Sequence, residues 1–125
     1  MNSLHDYEIL NYNINFKNSL LTIDVTNDES NKRIDFVGAI AHQFSDEIPY
    51  SIILDLDELD IKYFFSSNKD LLEEKKNSGW PLMYSSVEEL EKMLQESDIR
   101  YYVLYSSYGM TGWVLAEQVE IVDVK

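Results

Sequence analysis

Residues 10–16 alternate apolar and amide side chains, with Leu10, Tyr12, Ile14 and Phe16 separated by Asn11, Asn13 and Asn15. Successive side chains of an extended backbone point to opposite faces, so this period of two predicts a half-buried strand with the even positions inward. Lys17-Asn18-Ser19 then reads as a turn, and Leu21, Ile23 and Val25 alternate with Thr22, Asp24 and Thr26. The two segments predict a hairpin. After a polar loop from Asn27 to Lys32, Ile34, Phe36, Ile40 and Phe44 mark one face of a third strand over Arg33–Phe44, in which Gly38 suggests a bulge. A fourth strand, Ser51–Asp57, turns Ile52, Leu54 and Leu56 inward and Asp55 and Asp57 outward. It is expected to complete an N-terminal meander.

The period then changes. Ser67 with Asp70, followed by Gly79 and Pro81, brackets a helix at about 68–78, because these residues start and stop helices through capping and steric exclusion. Ser85 or Ser86, with Glu88 or Glu89 three residues on, forms a capping box ahead of Val87, Leu90 and Leu94, and predicts a helix at about 86–96. Ile99–Ser106, Trp113–Ala116 and Val119–Val124 are rich in β-branched and aromatic residues and read as a C-terminal hairpin or three short strands around a turn at Ser107–Gly112. The expectation is one α+β domain over 1–125, a mostly antiparallel sheet carrying about two helices. No repeat, low-complexity tract or Pro-rich linker divides it.

Composition agrees with a folded chain: 45% hydrophobic and 13% aromatic residues exceed what disorder shows. Absence of cysteine removes disulfides, thiolate metal sites and thiol nucleophiles. The first residues lack a basic stretch followed by an apolar run, and no 18-residue apolar run occurs, so a soluble, cytoplasmic protein is expected. Ten Lys and Arg against 23 Asp and Glu give a net charge of −13, which opposes nucleic acid and anionic membranes as partners. Both halves are acidic, but segment 34–61 holds seven carboxylates and no Lys or Arg.

Candidate chemistry is sparse. Asp55, Asp57, Glu58 and Asp60 are spaced closely enough to suggest a hard cation, yet Leu59, Asp60 and Ser66 stand where a calcium loop needs an oxygen ligand, a glycine and a bidentate Glu. The two histidines, His5 and His42, with Asp6 form the alternative: a divergent metal-binding protein or enzyme. Asp6 beside His5 also suits a local turn, and His42 falls by parity on an inward face. No Gly-x-Ser-x-Gly elbow and no phosphate-cradling glycine pattern occurs among Gly38, Gly79, Gly109 and Gly112. A small-molecule regulatory domain is a further alternative, for which converging tyrosines in an apolar pocket would be the sign. No cofactor is expected.

Acidic and aromatic residues together suit protein recognition, since rigid aromatics anchor interfaces and charged rims steer partners. On that basis Asp46, Glu47, Asp55, Asp57, Glu58 and Asp60, flanked by Tyr50 and Tyr63, form the expected partner-binding set. Most of Tyr101, Tyr102, Tyr105 and Trp113 are expected in the core, with Tyr108 exposed in a turn.

The opening Leu4-His5-Asp6-Tyr7-Glu8-Ile9, then Ile34-Asp35-Phe36, His42-Gln43-Phe44 and Ile53-Leu54-Asp55-Leu56, resembles small acidic immunity-type proteins of Gram-positive polymorphic toxin systems. The likeness spans roughly the first 60 residues. It implies a non-catalytic antidote that neutralises a toxin domain, often a basic nuclease, and no individual binding residues follow from it.

Overall fold

The structure is a computed structural model that describes residues 2–125, with side chains from residue 3. The fold is α+β: eight antiparallel strands and three α-helices. The strands are β1 (Glu8–Asn15), β2 (Leu20–Thr26), β3 (Asn31–Val37), β4 (Ala41–Ser45), β5 (Ile52–Leu59), β6 (Arg100–Tyr108), β7 (Thr111–Ala116) and β8 (Gln118–Val124). Their order across the sheet is β4-β7-β6-β5-β1-β2-β3-β8.

That order resolves into two four-stranded layers, because β1 and β5 share a single residue pair, Glu8 with Ile52. One layer is β1-β2-β3-β8 and the other β5-β6-β7-β4. Each is a three-strand meander completed by a strand from the other half of the chain. The exchange happens at one corner. β3 runs into β4 past Gly38 (φ +67°), β7 runs into β8 past Glu117, and the Glu117 N–H donates to the Val37 carbonyl at 3.0 Å. Residues 31–45 and 111–124 thus form one long bent ribbon whose ends belong to different layers.

Apolar side chains fill the space between the layers, where Ile23, Ile34, Phe36, Ile53, Leu56 and Tyr102 are almost wholly buried. A second core lies on the outer face of the β5-β6-β7-β4 layer, under α1 (Ile61–Ser67), α2 (Lys69–Lys75) and α3 (Val87–Glu96). There Phe64 packs edge-on against Trp113 and Tyr101, at ring separations of 4.9 and 5.5 Å. Both faces of β7 are therefore covered, and Trp113–Ala116 are all buried.

Several expectations need correction. Leu10 and Leu54 point outward rather than inward, and both sit at register shifts, where an extra residue is pushed out of the ladder. At Leu10 the extra residue resets parity, so Ile9 and Tyr12 both face the core. Phe16 is outside because the strand has ended before it. The third strand is two strands, since Gly38 adopts a left-handed conformation and breaks the run. The fourth strand of the meander is not the next in sequence: β3 is flanked by β2 and β8, and β5 meets β1.

Helix α1 was absent from the pattern. Its seven residues are too few to show a period, and its start is set by the Asp60 carboxylate accepting the Lys62 N–H at 3.0 Å. α2 does not use Ser67 and Asp70 as a cap: Asn68 is the cap position, and its side-chain amide donates back to the Phe64 carbonyl. Gly79 does close the following 3-10 turn in a left-handed conformation. α3 matches its prediction, with the Ser86 hydroxyl accepting the Glu89 N–H at 3.1 Å and Leu90 and Leu94 fully buried. Each of those leucines contributes about 1.5–3 kcal/mol by leaving water. No helix among the described residues is long and apolar enough to cross a membrane.

Candidate binding face

The helices cover only part of the outer face of β5-β6-β7-β4. Tyr101, Val103 and Tyr105 alternate along the same side of β6, yet Tyr101 lies in the second core while Tyr105 is 40% exposed. Opposite Tyr105 in the ladder is Asp55, and opposite Val103 is Asp57, so the two carboxylates share this side of the layer, both half-buried. Leu54, extruded at the bulge, is 47% exposed beside them. Leu54, Asp55, Tyr105 and His5 line an open cleft of about 540 Å³. The His5 Nδ1–H donates to the Leu54 carbonyl at 2.9 Å, and His5 Nε2 lies 3.4 Å from the Asp6 carboxylate. The Asp55 carboxylate accepts the Leu56 N–H at 2.9 Å, which fixes its rotamer at the bulge.

The strip continues to the end of the ladder, where Ile52 pairs with Tyr108 and the β4–β5 loop begins. Buried Ser51 staples that loop: its hydroxyl donates to the Ile48 carbonyl at 2.7 Å and accepts the Met110 N–H at 2.8 Å. Gly109, at φ +81°, packs against Ser51 with no room for a side chain. On this pinned backbone Tyr50 is 73% exposed and held at φ +66°, a conformation costly for a bulky residue. Asp46 is left-handed too, and Glu47 accepts a hydrogen bond from the Tyr12 hydroxyl. That bond raises the Tyr12 pKa above its usual value, with burial adding to it.

The expected partner-binding set is thus divided. Asp55 and Asp57 lie along one strip, with Asp46, Glu47 and Tyr50 in the β4–β5 loop at its end. Glu58 faces the opposite side of β5 and pairs with Arg100 at 3.6 Å. Asp60 is occupied as the α1 cap, and Tyr63, though exposed, carries the Lys62 ammonium 5.3 Å from its ring centre. Leu54 and Tyr105 were missed as surface residues, and Tyr108 was expected to be exposed and is. No signal in the sequence marks Leu54, since Ile52, Leu54 and Leu56 alternate as a regular strand would.

His5, Asp6 and His42 do not form one site. His42 contacts Tyr12 and Phe44, at ring separations of 6.2 and 5.2 Å, and lines different clefts from His5. Burial lowers the His42 pKa below its usual value, with Glu47 acting weakly the other way. Among the described residues no group of three or more His, Asp or Glu side chains converges to hold a metal ion. The cleft of about 270 Å³ walled by Ile14, Phe16, Leu20 and Leu82 holds no tyrosine, and the cleft beside His5 holds Tyr105 alone, so neither brings tyrosines together. No family model, curated protein or solved structure matches the chain.

Proposed function

We propose that the protein is a non-catalytic binding module of the immunity or antitoxin type, which neutralises a basic toxin domain in the cytoplasm by docking an acidic, tyrosine-bearing strip against it. The observation that carries this reading is the part of the β5–β6 ladder that the helices leave uncovered, where Tyr105, Leu54 and Tyr108 stand out of the surface alongside Asp55 and Asp57. Aromatic side chains on rigid backbone lose little entropy on binding, and surrounding carboxylates steer and orient a cationic partner. The Ser51 staple and the ladder supply the rigidity. A net charge of −13 adds long-range attraction and disfavours nucleic acid and anionic lipid as direct ligands.

The test is to purify any basic toxin domain found encoded next to this protein's gene and titrate it calorimetrically, at low and at physiological salt. Expected is a tight complex that weakens as salt rises, and a loss of roughly 100-fold in affinity for Asp55→Lys with Asp57→Lys, the order measured for close interfacial charge pairs. Unchanged affinity and salt dependence in that variant would show the strip is not the interface.

A further inference from the structure

β4 is a sheet edge. Ala41–Ser45 pair with β7 on one side, and no described strand pairs with the other. Alternate N–H and C=O groups along such an edge match another extended chain, and proteins usually guard edges with lysine, proline or inward charge. β8, the other edge, carries Glu120 and Asp123. Ala-His-Gln-Phe-Ser in β4 carries none of these guards.

The edge is also flanked by clefts on both sides. Toward the β1–β2 hairpin, a cleft of about 270 Å³ is walled by Ile14, Phe16 and Leu82, and Phe16 leaves 86% of its surface in water. Toward α2, clefts of about 310 and 450 Å³ meet β4 at His42 and Gln43 and are bordered by Lys75 and Lys69. In a chain with 23 carboxylates, only Asp70 lines any of the three. This surface is therefore opposite in character to the acidic strip.

We propose that β4 receives an extended segment of a partner protein as an added strand, with alternate side chains apolar toward Ile14 and Phe16 and acidic toward Lys69 and Lys75. Strand geometry gives the alternation, because successive side chains of the added strand face opposite sides of the sheet. A second copy of this chain is the wrong occupant. Its own β4 offers no carboxylate to the lysines, and two chains of −13 repel.

The probe is an acetylated, amidated octapeptide alternating valine and glutamate, titrated into the isotopically labelled full chain while amide shifts are read. Shifts confined to β4 and its clefts are expected. N-methylation of one alternate set of peptide nitrogens should abolish them, and methylation of the other set should not. Phe16→Asp, at a position too exposed to affect folding, and a valine–lysine peptide should each weaken binding at least about fivefold, the scale of 1 kcal/mol. Asp55→Lys with Asp57→Lys should bind the peptide unchanged, which separates this surface from the acidic strip. Shifts away from β4, indifference to methylation or charge, or a peptide-free dimer whose shifts map to β4 would overturn the proposal.

Discussion

The two halves of the chain follow the same path and end in opposite circumstances. β1-β2-β3 and β5-β6-β7 are each a meander whose last strand bends across the corner into the other layer. In the first half the opening hairpin closes through a short turn after Asn15, where the Asn18 N–H donates to the Asn15 side chain. The outer face of that layer stays polar: Asn11, Asn13 and Asn15 on β1, then Arg33 on β3 gripping Asp35 through two bonds of 2.6 and 3.1 Å. In the second half the equivalent connection is the long excursion that carries α1, α2 and α3, and the outer face beneath it holds Tyr101, Trp113 and Leu115. The lesson is that an inserted connection converts a solvated face into a core only as far as it reaches. Asp55, Asp57 and Tyr105 lie beyond the reach of the helices, and that part of the ladder is the candidate binding face.

The strongest way to break this comparison is to empty the covered part. Trp113→Ala should cost about 3–5 kcal/mol, because it removes the ring packed on Phe64 and Trp80 and leaves a cavity. Tyr105→Ala, beyond the helices, should change stability by less than about 0.5 kcal/mol while weakening the complex proposed for this face. Urea unfolding of both variants checks the contrast, and equal losses would show that the exposed strip is structural. Next in size is Gly112→Ala. Gly112 sits at φ +156° against the Gln43 carbonyl and the Phe44 ring, so a methyl group should push β4 off β7 at a cost of about 1–3 kcal/mol. Amide exchange should then rise at Ala41–Ser45 before it rises in β2. Ser86→Ala, which deprives α3 of its cap, should cost about 1 kcal/mol.

Two smaller effects sharpen the boundary between the halves. Tyr50→Asn should raise stability by roughly 0.5 kcal/mol, since asparagine tolerates the left-handed conformation better, while partner binding falls. His42 of β4 meets Tyr12 of β1 across the two layers and Phe44 on its own strand. Because burial lowers its pKa in the folded state, the unfolded chain binds the proton more readily. Stability should therefore decline as pH falls below about 6.5, the unfolded imidazole value. Denaturation midpoints at pH 7.5 and 5.5 should differ more in the parent than in His42→Gln.

Local chemistry made much of the fold readable. Strand alternation survives in β2, where Leu21, Ile23 and Val25 are all buried, because that strand is regular and has one wet face. The α3 capping box is readable because its bonds form between residues three and four apart. Parity failed at Leu10 and Leu54 because a bulge inserts a residue without any change in side-chain type. The candidate face was half readable: the one-sided charge of segment 34–61 pointed to Asp55 and Asp57. Glu58 and Asp60 engage Arg100 and the α1 backbone, contacts that only folding brings near or orders.

By itself, then, the sequence determined an antiparallel α+β chain, the hairpins, the capped helix and a strong negative charge, all consequences of interactions between near neighbours or of simple summation. Tertiary structure decided the rest. It set the exchange of β4 and β8 between layers, the reach of the helices, and which tyrosines meet water. Those depend on contacts between residues tens of positions apart, such as Val37 with Glu117 and Ser51 with Met110, which no local pattern encodes.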